Sequence, residues 1–242
     1  MCERLINFVA EENDIKSENK LATLGSTLGI HERIDWDNLM KEFENIFSEQ
    51  KPGLTKEYFH EIAVTDEQPF QQKQYPVPFS RAEKVTEKLN QMEAWGVISR
   101  SATPYVNPLV TTIKKKGEVR VCLDARRLNR VLVEDHEKPP NMQEILQKFH
   151  GSRYFSTVDL TVSYWQIPLK PEHRKYTGFM YNSKTYVFNV LPFGLNTAVA
   201  SFSRAMDFIL GPEILEFVEK YTRVFFYAVY FYAFYKTRFF LQ

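Results

Sequence analysis

Behind Asp35 the apolar residues Trp36, Leu39, Met40, Phe43, Ile46 and Phe47 recur at helical spacing, which is the pattern of one buried face of an amphipathic helix. Asp35 is the expected N-cap and Lys51-Pro52-Gly53 the stop. The stretch before it, residues 11–30, is polar and aperiodic and reads as linker. Three prolines between Glu67 and Pro78 hold that segment extended and mark a boundary. Ser80-Arg81-Ala82-Glu83 then has the form of a capping box, and Ala82, Val85, Leu89 and Met92 make the stripe of a second helix ending at Trp95-Gly96.

Beyond Gly96 the runs turn β-rich. Tyr105–Ile113 and Val119–Leu123 flank Lys114-Lys115-Lys116-Gly117-Glu118, which predicts a hairpin with a basic tip. A short helix is expected over Met142–Phe149, between Pro139-Pro140 and Gly151, followed by a strand at Tyr154–Asp159. A helical or irregular turn around Val162–Gln166 and strands near Thr177–Phe179 and Thr185–Phe188 come next. The last predicted helix runs from about Thr197 to Leu210 and is closed by Gly211-Pro212. Helices and hairpins mix without a βαβ alternation, so the expected fold class is α+β.

Composition narrows the picture. With 242 residues, 44% apolar and 25% charged, the chain is built for a packed core. Its 15% aromatic content concentrates at one end: residues 221–242 hold 11 aromatics in 22 positions, with three basic residues and no acid. The apolar run Val224–Tyr235 is 12 residues, short of the roughly 20 that span a bilayer. No membrane partner is expected, and the segment reads as an aggregation-prone strand without a gatekeeper charge. Cys2 and Cys122 are the only cysteines, which excludes a disulfide framework and a four-cysteine zinc site. Residues 1–20 carry no signal-peptide run, so an intracellular, reducing compartment is expected and secretion is not.

The net charge of +1 conceals two opposed parts. Through Glu67 there are 7 Lys and Arg against 15 Asp and Glu, net −8, and from Gln68 onward 24 against 15, net +9. A basic body behind an acidic lead suits a nucleic-acid partner, although solvated surface charge is the commoner origin of such a bias.

Three groups of residues have chemistry to offer. Lys114, Lys115, Lys116, Arg120, Arg126, Arg127 and Arg130, opposed by Glu118 and Asp124, make a local field able to close over a triphosphate, ammonium as a point charge and guanidinium as a fork. A solvated hairpin tip is the plainer meaning of a bare Lys run. Asp159, ending an apolar strand, is placed either as an oxygen ligand for Mg²⁺ or as an ordinary turn or N-cap residue. In Leu191-Pro192-Phe193-Gly194-Leu195-Asn196, Gly194 permits close backbone approach to a ligand, with Phe193 and Leu195 able to stack on a base or ribose; a Pro-Gly turn before a core helix is the structural alternative. Neither G-x-S-x-G, H-E-x-x-H nor a P-loop occurs, and His31, His60, His136, His150 and His173 are scattered and expected at the surface.

Taken in order, residues 75–110 (YPVPFSRAEKVTEKLNQMEAWGVISRSATPYVNPLV), 119–129 (VRVCLDARRLN), 155–169 (FSTVDLTVSYWQIPL) and 191–207 (LPFGLNTAVASFSRAMD) closely resemble the reverse transcriptase of gypsy-type LTR retrotransposons. The likeness covers about 70–220. It implies the fingers and part of the palm of a right-hand polymerase, which extends a primer on an RNA or DNA template using dNTPs and two Mg²⁺ ions. The organisation it implies is an acidic N-terminal segment with one short helix over 1–67, fingers over 68–155, partial palm over 156–220 and an aberrant aromatic tail over 221–242. By the same resemblance Arg120 is the fingers arginine at the incoming triphosphate and Lys115 the lysine beside it. Asp159 is the first catalytic aspartate, with the Leu160 backbone carbonyl as a further metal ligand. Tyr164 is the steric gate against a ribose 2′-hydroxyl, and Phe193 and Gly194 belong to the dNTP pocket.

The resemblance also implies a Tyr-x-Asp-Asp hairpin about 60 residues after the first aspartate. Tyr221-Thr222-Arg223-Val224 stands there instead, and no Asp or Glu follows Glu219. A guanidinium at a metal position repels Mg²⁺. The expectation is therefore a chain without polymerase activity, the alternatives being a nucleic-acid-binding fragment without chemistry or the inert product of a degraded retroelement. Relatives usually carry a small Ser-Gly pair where Thr161-Val162-Ser163 stands, and Val162 is bulk close to Tyr164.

Overall fold

The computed structural model describes residues 29–42, 44, 51–113, 117–137, 141–148, 154–160, 162–215, 218–221 and 224–229, and for 154–159, 218–221 and 224–229 it is the backbone that is described. Helix α1 (Ile30–Glu42) belongs to one compact unit and Lys51–Tyr232 forms the other. Asp35 lies inside α1 and does not cap it. The helix opens upstream of the predicted start, where the Gly29 carbonyl accepts the Arg33 N–H at 3.1 Å, and its first apolar residues, Ile30 and Ile34, are exposed. Phe43, Ile46 and Phe47 of the predicted stripe lie outside the described residues.

In the second unit, helix α2 (Phe79–Ala94) buries Val85, Leu89 and Met92, as their spacing requires. The capping box does not form. Pro78, with φ −54°, occupies the N-cap position, its carbonyl accepts the Arg81 N–H at 2.8 Å, and Ser80 is already inside the helix. The far end is a Schellman turn: Gly96 takes φ +74°, its N–H reaches the Glu93 carbonyl, and the Val97 N–H reaches that of Met92, both at 2.9 Å.

Among the described residues three antiparallel sheets follow. β1 (Ile98–Arg100), absent from the sequence expectation, pairs with β6 (Lys184–Phe188), whose other neighbour is β5 (Phe179–Tyr181). β2 (Leu109–Ile113) and β3 (Val119–Leu123) form the predicted hairpin, in register from Leu109↔Leu123 to Ile113↔Val119. Its basic tip, Lys114, Lys115 and Lys116, lies outside the described residues. The earlier part of the predicted strand, Tyr105–Pro108, leaves the hairpin: Val106 bridges Gln71, and Asn107 bridges Phe179. A single helical turn, α3 (Arg126–Asn129), and α4 (Met142–Lys148) lead to β4 (Tyr154–Asp159).

Two 3₁₀ helices, Ser163–Gln166 and Pro171–Thr177, follow β4. Thr177, expected in a strand, closes the second of these, with its hydroxyl donating to the Arg174 carbonyl at 2.8 Å and accepting the Phe188 N–H at 2.9 Å. Helix α5 (Ala198–Leu215) continues past the predicted stop, but Gly211 breaks it with φ 67° and ψ 166°, and Pro212 opens the next turn. β7 (Val218–Tyr221) and β8 (Val224–Val229) complete the third sheet in the order β4-β8-β7. The start of the segment expected as a separate tail is thus the middle strand of a sheet, because Val, Phe and Tyr satisfy a strand flanked on both sides. Residues 230–242 lie outside the described residues.

Phe179, Phe188, Phe202, Ile167, Leu169 and Leu191 are fully buried, and each side chain of this size contributes about 1.5–3 kcal/mol on burial. Residues 55–66, read from sequence as the end of a lead segment, are tied across this core. Thr55 N–H donates to Gln166, His60 N–H to Pro168, and the Lys170 N–H to His60, all carbonyl bonds of 2.8–3.0 Å. Farther along, Val64 bridges Leu132 and the Val133 N–H donates to Ala63 at 3.0 Å. His60 is 3% exposed, against the surface position expected of it. Sequence alone did not reveal this strap because its bonds are backbone bonds between strands of one or two residues. No described helix is long and apolar enough to cross a membrane.

Candidate nucleotide and metal site

The period-two alternation of β3 puts Val119, Val121 and Leu123 inward and Arg120 outward. From there the Arg120 guanidinium lies over the Phe193 ring, 5.0 Å from its centroid. Phe193 in turn meets Tyr164 edge-on at 5.3 Å and Trp165 at 6.2 Å. Tyr164 also meets Phe202 of α5 at 5.8 Å. The fold therefore brings Arg120, Tyr164 and Phe193, distant in sequence, into one continuous contact.

The loop carrying Phe193 is pinned from both sides. The Leu191 N–H donates to Ile167 at 2.9 Å. Gly194 takes φ +114°, and a Cβ there would lie 2.3 Å from the Leu123 carbonyl oxygen. The close approach Gly194 permits is thus to β3. Asn129 of α3 completes the clasp: its Nδ2 donates to the Gly194 carbonyl at 2.9 Å and its Oδ1 accepts the Asn196 N–H at 3.1 Å. Leu195, expected as a stacking surface, is 5% exposed and belongs to the core. Asn129 and Trp165 escape a reading of the sequence as parts of this wall; both stand inside recognisable motifs, but nothing local marks an Asn as the bracket for a loop 65 residues away.

The basic cluster is partly neutralised at its base. Arg126 donates Nε to Oδ1 of Asp124 at 2.8 Å and NH2 to Oδ2 at 2.7 Å, and the Tyr75 hydroxyl donates to the same Oδ2 at 2.7 Å. These bonds, the Arg126 pair first, hold the Asp124 carboxyl down at about 2. Arg127 lies over Phe70 at 5.9 Å. Lys115 falls outside the described residues.

On the other side, β4 delivers Asp159 as its last residue and Leu160 follows in irregular backbone. Val162 then takes φ 44°, a left-handed conformation, before the 3₁₀ helix that carries Tyr164. Register places Val224 directly opposite Asp159 and Tyr221 opposite Val224. The position directly across from Asp159, near which the resemblance calls for further carboxylates, is an apolar residue. Among the described residues no group of three or more His, Cys, Asp or Glu is placed to hold a metal ion. The donor set does not fit a two-metal centre, because one carboxylate cannot balance two divalent ions.

Comparison with known proteins bears on the family and the fold. Residues 113–233 match the family model described as reverse transcriptase (RNA-dependent DNA polymerase). The chain is 34% identical over 183 residues to the retrovirus-related Pol polyprotein from transposon 297 of Drosophila melanogaster, a match covering 72% of this chain and 17% of that protein. It is 31% identical to the corresponding polyprotein from transposon gypsy of the same fly, over 74% of this chain and 19% of the relative. The chain thus spans less than a fifth of the curated relatives it matches. Its fold matches the crystal structure of prototype foamy virus protease-reverse transcriptase with a TM-score of 0.75 at 24% identity, covering 84% of this chain and 27% of that one. A foamy viral protease-reverse transcriptase solved in complex with dsDNA gives 0.76 at 20% identity. Fold, motif order and family model converge, and the chain belongs to the reverse transcriptase (RNA-dependent DNA polymerase) family.

Proposed function

We propose that this chain is the fingers, over 68–155, and part of the palm, from 156, of a template-directed polymerase that holds primed nucleic acid and nucleotide without joining them. The observation that carries this reading is the register Asp159↔Val224 in a sheet whose sequence has no acid after Glu219. A primer 3′-hydroxyl and a triphosphate are activated by metal ions held between carboxylates, and one aspartate supplies too little charge for that task. The nucleotide-facing wall supports the other half of the reading. Arg120 offers a fork of N–H donors to phosphate oxygens. Lys115 on the hairpin tip adds a second cation, Tyr164 closes the space a ribose 2′-hydroxyl would need, and Phe193 with Gly194 forms the back of the pocket.

Primed RNA or DNA is the proposed partner. The +9 body from Gln68 onward supports it, as do the foamy viral relatives solved with dsDNA and with an RNA/DNA hybrid. The test is primer extension by the purified full chain with four dNTPs and Mg²⁺, beside its Asp159→Asn variant. The two are expected to be equally inactive while both bind primed template, more weakly as salt rises. Extension well above the variant overturns the inactive reading. Binding indifferent to salt overturns the nucleic-acid reading and points to adhesion through the aromatic segment.

A further inference from the structure

We infer that Phe193 is a positioning residue whose ring face fixes the Arg120 guanidinium for an anionic ligand, with Trp165 as the buried stop behind the ring. The inference rests on the nucleotide-facing wall proposed above and adds to it what holds its cation. An arginine at an exposed strand position has four freely rotating bonds, and an unrestrained fork loses much of its grip to entropy. Carboxylate pairing would restrain it but would occupy the N–H edges and cancel the charge. A ring face at 5.0 Å restrains the plane while leaving those edges and the charge for phosphate oxygens.

The ring can do this because it is held in its turn. Tyr164 meets it at 61° and Trp165 at 56°, so neither neighbour stacks on the face that Arg120 uses. Trp165 is 4% exposed, and its Nε1 finds no hydrogen-bond partner among the described residues. That unsatisfied donor is tolerated in a side chain placed for its ring. The Lys88 ammonium lies 5.8 Å from the Trp165 centroid and 5.2 Å from that of Trp95. Arg120 over Phe193 and Lys88 over Trp165 thus address the two joined rings from separate elements, β3 and α2.

The test begins without any ligand. The full chain is treated with phenylglyoxal, which condenses with free guanidinium, and modification of Arg120 is followed by peptide mass with Arg130 as internal reference. Phe193→Leu is expected to speed modification of Arg120 about three- to tenfold relative to Arg130, and Phe193→Tyr to leave it near the starting rate. Phe193→Met, which keeps volume without a ring, reports the same loss should the Leu variant melt early. An unchanged Arg120 rate in both folded variants overturns the inference.

Binding of dTTP in EDTA then separates this inference from the function it rests on. With the site as proposed, Phe193→Leu and Arg120→Gln each weaken dTTP about three- to tenfold, and the double variant is no weaker than Arg120→Gln alone, since both remove one interaction. Additive losses overturn the positioning role. If the unaltered chain binds no dTTP although Phe193→Leu still unshields Arg120, the positioning role stands and the nucleotide reading of the wall falls.

Discussion

Two walls make up the candidate site, and they differ in what their residues supply. The first, formed by the β2–β3 hairpin, the 191–197 loop and the turn carrying Tyr164, keeps both fold and side chains: Arg120, Phe193 and Tyr164 are in contact and Asn129 clasps the loop behind them. The second, the β4-β8-β7 sheet, keeps its pairing from Asp159↔Val224 to Tyr154↔Val229 while the residues opposite Asp159 carry no acid. A strand asks only for extended backbone and β-compatible side chains, which Val-Phe-Phe-Tyr-Ala-Val supplies. A metal centre asks for particular charges at particular register positions. The two demands are independent, so the pairing of the strands says nothing of which charges stand at their register positions.

The largest expected effect comes from returning carboxylates to the second wall. Arg223→Asp with Val224→Asp returns the Asp-Asp pair that the resemblance calls for, the second of them directly opposite Asp159, and Mn²⁺ binding read by electron paramagnetic resonance should go from undetectable to measurable. Extension of a primer should rise with it by about a hundredfold, equivalent to about 3 kcal/mol of barrier. Adding Asp159→Asn should abolish both gains. If the restored chain binds no ion, β4 and β8 do not hold residues 159 and 224 opposite each other as the register requires. Next in size, Gly194→Ala tests the first wall: a Cβ 2.3 Å from the Leu123 oxygen at φ +114° must push the loop away from β3. A loss of about 3 kcal/mol in urea unfolding is expected. Gly117→Ala, with φ +81° but nothing within 4 Å, should lose about 1 kcal/mol.

Much of the first wall was legible because local rules wrote it. Alternation put Arg120 outside β3, and Pro-Phe-Gly announced the turn that carries Phe193. What escaped is non-local. His60 is buried by contacts with Thr197 and with the strap's own partners, and no periodicity in residues 51–66 foretells that. Ser80 and Glu83 match a cap by spacing, yet Pro78 starts the helix before them. On the second wall, Tyr221-Thr222-Arg223-Val224 marks the place of the family's hairpin but the acid-free aromatic run after it reads as a tail; the pairing with β4 is a tertiary fact that composition cannot encode.

A smaller effect distinguishes the walls by pH. His60 lies with its Nε2 3.5 Å from the Thr197 hydroxyl, beneath the helix that supports the first wall, and it faces Arg204, Asp135, His173 and Glu61. Burial, helped by the Arg204 cation, lowers it from 6.5 to about 4. The unfolded chain therefore takes up this proton before the folded chain does. The contribution is complete above about pH 6.5, is lost as pH falls towards 4, and changes no further below that. Over that window about 2–3 kcal/mol should disappear. His60→Gln should flatten the slope between those limits. Hydrogen exchange should show the amides of residues 195–201 opening before those of β8 as the solution is acidified, and the reverse order would place the acid-sensitive point in the sheet.

The finest test sits at Val162, the residue that joins the two walls. Its φ of 44° and ψ of 46° are left-handed values that a β-branched side chain resists. Replacing it also removes a partly buried side chain packed on the core, so a single variant would mix strain relief with lost contact. Val162→Ala and Val162→Gly lose nearly the same packing and differ in the backbone demand. Elsewhere in a chain, Ala is the more stable of the two by about 0.5–1 kcal/mol. At this position the order should invert, with Gly ahead by about 1 kcal/mol in urea unfolding, since only Gly enters the left-handed region without a Cβ penalty. If Ala wins, Val162 is not held left-handed, and the turn that aims Tyr164 at Phe193 is set by the side-chain contacts of the first wall instead of by the backbone leaving Asp159.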